Sequence, residues 1–250
     1  MEKNFKLFVV IGFVILLLNA CNNKRYEFAE LEQVNDWIMS YYQKPNLNQI
    51  GAALKKLNDD APISQDDIVN YILAGFLAEL CDKKPKVIKI LSETVEQYDT
   101  SIRYTIFHSL WLSNTKKTRE ILEQIAEDSD RETSEHIYRL LENNISSNYI
   151  LASVNDININ WGRYYASGDK KYLKIVLDTV EFSETLDNID SFLPVLKFNQ
   201  FVLNNMAKRD KNVLNFCNEN YKNAQGILKE CLMAAIKYAE NQQMIFNEEN

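Results

Sequence analysis

Apolar side chains recur every three or four positions over most of this 250-residue chain. That spacing puts them on one face of an α-helix, whereas a half-buried strand would need strict alternation. The pattern predicts about twelve helices and no confident strand, and it leaves residues 143–155 ambiguous. The predicted helices cover residues 26–43, 46–57, 64–80, 86–98, 101–112, 118–125, 130–141, a segment from about 161 to 168, 170–182, 189–208, 211–221 and 224–246.

Three helix ends have a recognisable local chemistry. Ser64-Gln65-Asp66-Asp67 and Ser129-Asp130-Arg131-Glu132 each combine a capping side chain with a carboxylate three residues later, which is typical of a helix N-terminus. Gly168 follows a helical segment and is expected to end it in the left-handed conformation that glycine adopts without strain.

Two observations suggest that the helices are paired. Gln43-Lys44-Pro45 and Lys83-Lys84-Pro85 each introduce a second helix, at an offset of 40, and residues 88–96 and 173–181 share five of nine positions at an offset of 85. Helix pairs of about 40 residues that bury their apolar faces against neighbours are the signature of helical solenoids. We therefore predict an all-α fold, an irregular helical-hairpin repeat that is α-solenoid-like and resembles HEAT or TPR arrays. The alternative is a non-repetitive helical bundle.

The segment that ends at Cys21 has the features of an export signal. Lys3 and Lys6 precede an apolar run of twelve residues, 7–18, which is too short for a membrane span of roughly 20 residues. The following Leu18-Asn19-Ala20-Cys21 resembles the lipobox of bacterial lipoprotein precursors. The resemblance implies cleavage before Cys21 and acylation of that residue, and several acyl chains anchor a protein stably. An ordinary secretory signal with a chance cysteine is the alternative.

We expect residues 1–20 to be a signal peptide, 21–25 a lipidated cysteine with a short tether, and 26–250 a single all-helical domain. Asn22 follows the cysteine where an inner-membrane retention signal would have Asp, which favours the outer membrane with the body facing the periplasm. Four extended residues reach about 14 Å, so the body is expected close to the bilayer. Loss of two lysines and one glutamate with the signal changes the net charge from −7 to −8, which argues against nucleic-acid binding.

A second resemblance rests on four segments of the mature chain. They are Trp37 to Pro45, Cys81 to Pro85, Leu110 to Ser113, and Trp161 to Asp169. These segments are similar to landmarks of a family of uncharacterised, all-helical, exported bacterial proteins. The resemblance spans most of the mature chain, and the family supplies no activity to transfer.

The sequence offers little for catalysis or metal binding. His108 and His136 are the two histidines, and each is expected to be a packed or surface residue. No HExxH, GxSxG, P-loop or GxGxxG motif occurs, so no cofactor and no metal site is predicted. Paired carboxylates lie at helix ends or on polar faces, which is where solvated and capping residues lie.

Cysteines and aromatic residues are the remaining candidates. With Cys21 lipidated, Cys217 and Cys231 flank a predicted helical turn symmetrically, so they are either a disulfide or, as we favour, buried thiols. Trp161, Tyr164 and Tyr165 form the aromatic cluster that we would choose as a binding surface if one lined the concave face of a solenoid. The alternative, which we favour, is that these rings are helix-packing core.

Together these features predict a non-enzymatic lipoprotein that binds the lipid bilayer through Cys21 and an envelope protein or peptide through its helical body. This expectation rests on architecture and on missing motifs, and fold alone does not determine function. Two alternatives remain: a periplasmic enzyme or small-ligand carrier with its site at Trp161, Tyr164 and Tyr165, and an immunity-type protein that neutralises a toxin.

Overall fold

A computed structural model describes residues 26–60, 70–143, 153–183, 185 and 192–248, with side chains as far as residue 241. Within these ranges the chain is all-helical and has no strand, which confirms the predicted all-α helical-hairpin fold with about twelve helices. The helices are α1 Leu31–Ser40, α2 Ile50–Asp60, α3 Tyr71–Lys83, α4 Pro85–Thr94, α5 Thr100–Ser113, α6 Lys116–Asp128, α7 Arg131–Glu142, α8 Val154–Ser167, α9 Lys170–Ser183, α10 Leu193–Arg209, α11 Lys211–Tyr221 and α12 Gly226–Glu248. Three short 3-10 helices accompany them: Tyr41–Gln43, Leu47–Gln49 and Val95–Gln97.

Several boundaries differ from the prediction because local hydrogen bonds decide them. The first helix begins at Leu31, later than expected, where Gln33 Oε1 accepts from the Ala29 N–H at 2.8 Å. The cap of α7 is Asp130 and not Ser129, since Asp130 Oδ1 accepts from the Thr133 N–H at 3.0 Å. Asn70 caps α3, and the predicted cap at 64–67 lies outside the described residues.

The predicted end of α8 is confirmed. Gly168 has φ +66°, in the left-handed region that glycine occupies at little cost, and its N–H donates to the Tyr164 carbonyl at 2.7 Å. A side chain there would also meet the ring of Tyr42, which packs directly on the glycine. This turn therefore ends α8, and the ring of Tyr42 from the N-terminal part of the chain packs against it.

Helices α3 and α8 form the centre of the molecule, although α4 to α7 separate them along the chain. A Cβ on Gly75 would lie 2.1 Å from the Ile159 carbonyl oxygen, and a Cβ on Gly162 would lie 2.0 Å from that of Ile72. Each glycine thus contacts the residue three positions before the other glycine. This reciprocal pattern is the one expected of two equivalent surfaces related by an approximate two-fold axis.

The hairpins that follow these two helices are equivalent as well. At the offset of 85 seen in the sequence, four positions of α4 and the adjoining 3-10 helix match four of α9, and all eight are buried. The pairs are Val87 with Tyr172, Ile88 with Leu173, Leu91 with Val176, and Val95 with Val180. The repeated sequence is therefore a repeated core face, buried in both the α3–α4 hairpin and the α8–α9 hairpin.

From this centre the chain extends in two directions. Helix α5 packs on α3 and leads to α6 and α7, whereas α10 packs on α8 and α12, with α11 against α12. The N-terminal helix α1 packs against α8 and α2. Among the described residues, no helix combines the length and apolar character needed to cross a bilayer.

Candidate functional site

The aromatic cluster chosen from the sequence is core and not a binding surface. Trp161 and Tyr164 have no exposed area and Tyr165 is 3% exposed, so these rings do not line a concave face, and they pack in the core as the favoured interpretation of the sequence had it. The physical reason is the position of α8, which α1, α3, α9 and α10 cover from several sides. The rings pack mainly on one another, with Trp161 and Tyr164 edge to face at a centroid distance of 6.0 Å.

The Tyr164 hydroxyl has a specific partner at the junction of three parts of the chain. Asp210 Oδ2 accepts from Tyr164 at 2.9 Å and from Tyr42 at 2.7 Å, while Asn212 Nδ2 donates to the Tyr42 hydroxyl at 2.8 Å. Burial, the bond with Tyr42 and the Asp210 charge raise the pKa of Tyr164. We call Tyr42, Tyr164, Asp210 and Asn212 the tyrosine clamp, because it fastens the N-terminal segment to α8 and to the start of α11.

A buried charge cluster lies between the C-terminal ends of α3 and α8. Glu79 is 2% exposed, and its Oε2 accepts from the Tyr172 hydroxyl and from Arg163 Nη1, the latter at 3.2 Å. Arg163 also bonds Asp82 Oδ2 at 3.3 Å and the Leu112 carbonyl at 2.8 Å. Because Arg163 meets residues near the C-terminal end of α3, the two central helices run in the same direction.

The electrostatics of this cluster fit a structural role. Burial alone would raise the pKa of Glu79, but hydrogen bonds from Tyr172 and Lys83 and the charges of Lys83 and Arg163 lower it. Burial raises the pKa of Asp82, against a hydrogen bond from Ser113. A charge buried with partners holds its neighbours in place and is costly to leave unpaired. The cluster therefore joins α3, α8, α9 and the end of α5.

The sequence contained a signal for this cluster that its apolar periodicity did not reveal. Glu79 is the one charged residue in the run from Tyr71 to Cys81, YILAGFLAELC. A lone carboxylate in an otherwise apolar helix is expected to find a cationic partner, because an unpaired buried charge is expensive. Which cation meets it depends on the long-range pairing of α3 with α8, which no local pattern specifies.

The two histidines, expected to be isolated packing or surface residues, are neighbours. His108 of α5 and His136 of α7 have ring centroids 5.7 Å apart. Both rings are partly buried and lie among aromatic side chains, with His136 stacked on Tyr104 at 4.1 Å. We call His108 and His136 the histidine pair.

Cys217 and Cys231, which flank the predicted turn, are not joined by a disulfide in the described part of the chain. The sequence had favoured thiols over a disulfide at these two positions. Cys217 is fully buried on α11, where burial raises the pKa of its thiol to about 12. Cys231 is partly exposed, and its carbonyl accepts from Gln200 Nε2 of α10 at 3.0 Å. The two side chains thus occupy different environments although they flank one turn.

An open groove of about 900 Å³ lies beside the point at which the described chain begins. We call it the tether groove. Its apolar lining comes from Phe28, Leu47, Gly51, Ala52 and Ile90, and its charged lining from Glu27, Lys55, Lys56, Asp59, Asp60 and Lys86. Part of this charge is paired along α2, where Lys55 bonds Asp59, and Lys56 lies 2.6 Å from Asp60.

Gly51 borders open space in the tether groove. A Cβ placed on this glycine would meet no atom within 4 Å, although the residue belongs to helix α2. A second groove, of about 470 Å³, lies between the end of α4 and α6 and is lined by Ile121, Gln124 and three carboxylates. In the part of the chain that the structure describes, these two concave surfaces are accessible candidates for binding, whereas the aromatic cluster is buried.

Comparison of the chain with protein-family models, with curated proteins and with solved structures yields no match. The resemblances to lipoprotein precursors and to exported helical proteins therefore stay predictions.

Proposed function

We propose that the protein is a lipid-anchored, non-enzymatic lipoprotein that binds a protein or peptide partner in the tether groove at the bacterial membrane surface. Cys21 is the acylated residue, and the outer membrane, with the body facing the periplasm, is the favoured location. The short tether brings the groove, and any partner in it, to the bilayer.

One observation carries this proposal: Tyr26 lines the tether groove together with Glu27 and Phe28. Only residues 22–25 separate Tyr26 from Cys21, a reach of about 14 Å when the segment is extended. A site so close to an anchor is restricted to ligands at the membrane surface. An envelope protein presents such a segment, whereas a freely diffusing metabolite would gain nothing from this placement.

The lining favours a polypeptide over an anionic lipid headgroup. Three lysines face three carboxylates, so the groove carries no net charge to attract phosphate groups, and apolar side chains lie between them. Protein interfaces have this composition, with an apolar centre and a polar edge. The expected partner segment carries apolar side chains flanked by charges of both signs.

The alternative of a carrier or enzyme acting at Trp161, Tyr164 and Tyr165 loses support, because these rings fill the core around α8. A ligand site needs a cavity with converging polar groups. The tyrosine clamp instead directs the hydroxyl of Tyr164 to Asp210.

The test is site-specific photo-crosslinking in intact cells. A photo-reactive amino acid replaces Asn48, an exposed residue that lines the tether groove, and the matched control carries it at Gln124 in the second groove. We expect one discrete protein adduct from position 48 and none of the same mass from position 124. The Cys21→Ser variant, which has no anchor, should lose this adduct.

A blocking variant tests whether the groove itself binds the partner. The Cβ of Gly51→Trp meets no atom within 4 Å and its indole is expected to extend into the tether groove, so the fold should keep its thermal stability. The adduct from position 48 should nevertheless disappear. An adduct that survives Gly51→Trp, or that forms equally from position 124, would remove the tether groove from the proposal.

A further inference from the structure

The histidine pair is a cluster of two metal-ligating imidazoles that the proposed function leaves unused. His108 and His136 belong to separate helices, α5 and α7, with α6 between them in the chain. Packing of α5 on α7 brings their ring centroids to 5.7 Å. Two imidazoles approach this closely at little cost only when both are neutral or when an ion lies between them.

Aromatic neighbours hold both rings in place. His136 lies parallel to Tyr104, with an angle of 6° between the ring planes. His108 meets Trp111 and Tyr71 edge to face, at centroid distances of 6.0 and 6.1 Å. Groups that fix the orientation of a ligand ring commonly surround metal-binding histidines, although carboxylates and carbonyls are the usual choice.

Burial favours the neutral form of both imidazoles, which is the form that binds metals. Burial, reinforced by the neighbouring His136, lowers the pKa of His108 to about 4, and burial lowers the pKa of His136 as well. The Nε2 atom of His136 is buried and has no hydrogen-bond partner. An unpaired buried nitrogen costs free energy that a bound ion would recover.

We propose that His108 and His136 are the two protein ligands of a site for a divalent transition-metal ion, with Cu²⁺ as the ion of highest affinity. A metal–nitrogen bond of about 2.0–2.1 Å puts each ring centre about 3.2 Å from the ion, so centres 5.7 Å apart can share one ion. No third His, Cys, Asp or Glu joins them among the described residues. Water completes the coordination, and Cu²⁺ is preferred because imidazole suits it and it heads the divalent affinity series.

The positive charge of Arg139 lies near the proposed site and should weaken the binding of a metal cation there, which can be tested by removing that charge. The charge of Arg139, three residues after His136 on α7, contributes to the lowered pKa of that histidine. The Arg139 side chain is 76% exposed and forms a long contact with Glu135 at 3.8 Å. Arg139→Gln therefore removes a repulsive charge without disturbing the core, and it should increase the affinity for Cu²⁺.

The experiment uses the full chain in detergent with Cys21→Ser and Cys231→Ser, so that neither position can supply a thiol ligand for copper. Cys81 and Cys217 stay, since burial raises each thiol pKa to about 12 and keeps both protonated. One equivalent of Cu²⁺ should raise the melting temperature and quench the fluorescence of Trp111. His108→Gln and His136→Gln should each weaken binding by more than about tenfold, which is the cost of losing merely a supporting residue.

Two further measurements keep the outcome decisive. Trp111→Phe should reduce the quenching but keep the rise in melting temperature. Pulsed electron paramagnetic resonance of the Cu²⁺-loaded parent counts imidazole ligands without any histidine variant, so it is independent of whether those variants fold. Two imidazoles per ion support the site; one or none, absence of binding at micromolar Cu²⁺, or unchanged affinity in both histidine variants overturns it.

Discussion

Gly75 and Gly162 are the residues at which one added methyl group would change the molecule most, because each lies against the backbone of the opposite central helix. The Cβ of Gly75→Ala would be 2.1 Å from a carbonyl oxygen, and that of Gly162→Ala 2.0 Å. No rotamer change relieves a clash with backbone, so α3 and α8 must move apart.

We expect each of these substitutions to lower the free energy of unfolding by about 1–3 kcal/mol or more, the usual cost of overpacking a core. Gly51→Ala is the matched control: it also lies in a helix but meets no atom within 4 Å. It should stabilise the protein by about 0.5–1 kcal/mol through the lower chain entropy of alanine. Urea denaturation measures all three, and similar effects at positions 51 and 162 would contradict the close approach of the central helices.

His108 should make stability depend on pH below neutrality. Its pKa falls from 6.5 in the unfolded chain to about 4 in the fold, so the folded state binds this proton more weakly. Its contribution to stability is complete above about pH 6.5 and is lost as pH falls toward 4. At about 1.4 kcal/mol per pKa unit, the loss approaches about 3 kcal/mol at pH 4.

Chemical denaturation at closely spaced pH values between 7 and 4 measures this loss. His108→Gln should flatten the curve over that interval, whereas Tyr138→Phe, a substitution at an exposed aromatic residue of α7, should leave the slope unchanged. A slope that persists in His108→Gln would assign the proton uptake to other groups.

At the scale of elements, the tyrosine clamp attaches the first two helices to the rest of the fold. Tyr42 contacts the turn at Gly168 through its ring, and Asp210 and Asn212 through its hydroxyl. Asp210 also caps α11, accepting from the Asn212 N–H at 2.9 Å. The clamp therefore couples the segment nearest the predicted membrane anchor to the second half of the chain.

Tyr42→Phe keeps the ring on Gly168 and removes only the hydroxyl. The expected cost is about 0.5–1.5 kcal/mol for a neutral hydrogen bond, and somewhat more because the acceptor is a carboxylate. Amide hydrogen exchange should become faster in α1 and α2 but not in α6 and α7, since the loss acts through local opening of the N-terminal segment. Uniformly faster exchange would show that the clamp supports the whole fold and not one segment.

For the whole molecule, the sequence predicted what depends on local spacing. Periodicity gave the number of helices, and Gly168 gave the end of α8, because both reflect the chemistry of neighbouring residues. The partnership of α3 with α8 was not predictable, since it depends on reciprocal glycine contacts between distant parts of the chain.

The burial of Trp161, Tyr164 and Tyr165 follows from the packing of α3 against α8. Asp156 and Asn160 are polar residues of α8 that the sequence pattern alone would place on an exposed face. Both are buried, and Asn160 Nδ2 donates to the Asp156 carbonyl at 2.9 Å. Polar side chains that find partners within the fold allow a helix to occupy its centre, and the pattern of that helix then resembles that of a surface helix. The histidine pair was equally hidden, because nothing local relates residue 108 to residue 136.

The predicted anchor at Cys21 would hold the whole molecule close to the bilayer. It can be tested without any assumption about the partner. If Cys21 is lipidated and the chain is then cleaved just before it, cells supplied with an alkyne fatty acid should label the protein, and Cys21→Ser should abolish the label. The variant should also keep residues 1–20, which intact-mass measurement distinguishes. Cys231→Ser is the control: its cysteine lies in the helical body, so label and processing should be unchanged. Label that persists in Cys21→Ser would place acylation elsewhere, and the tether groove would lose its position beside the bilayer.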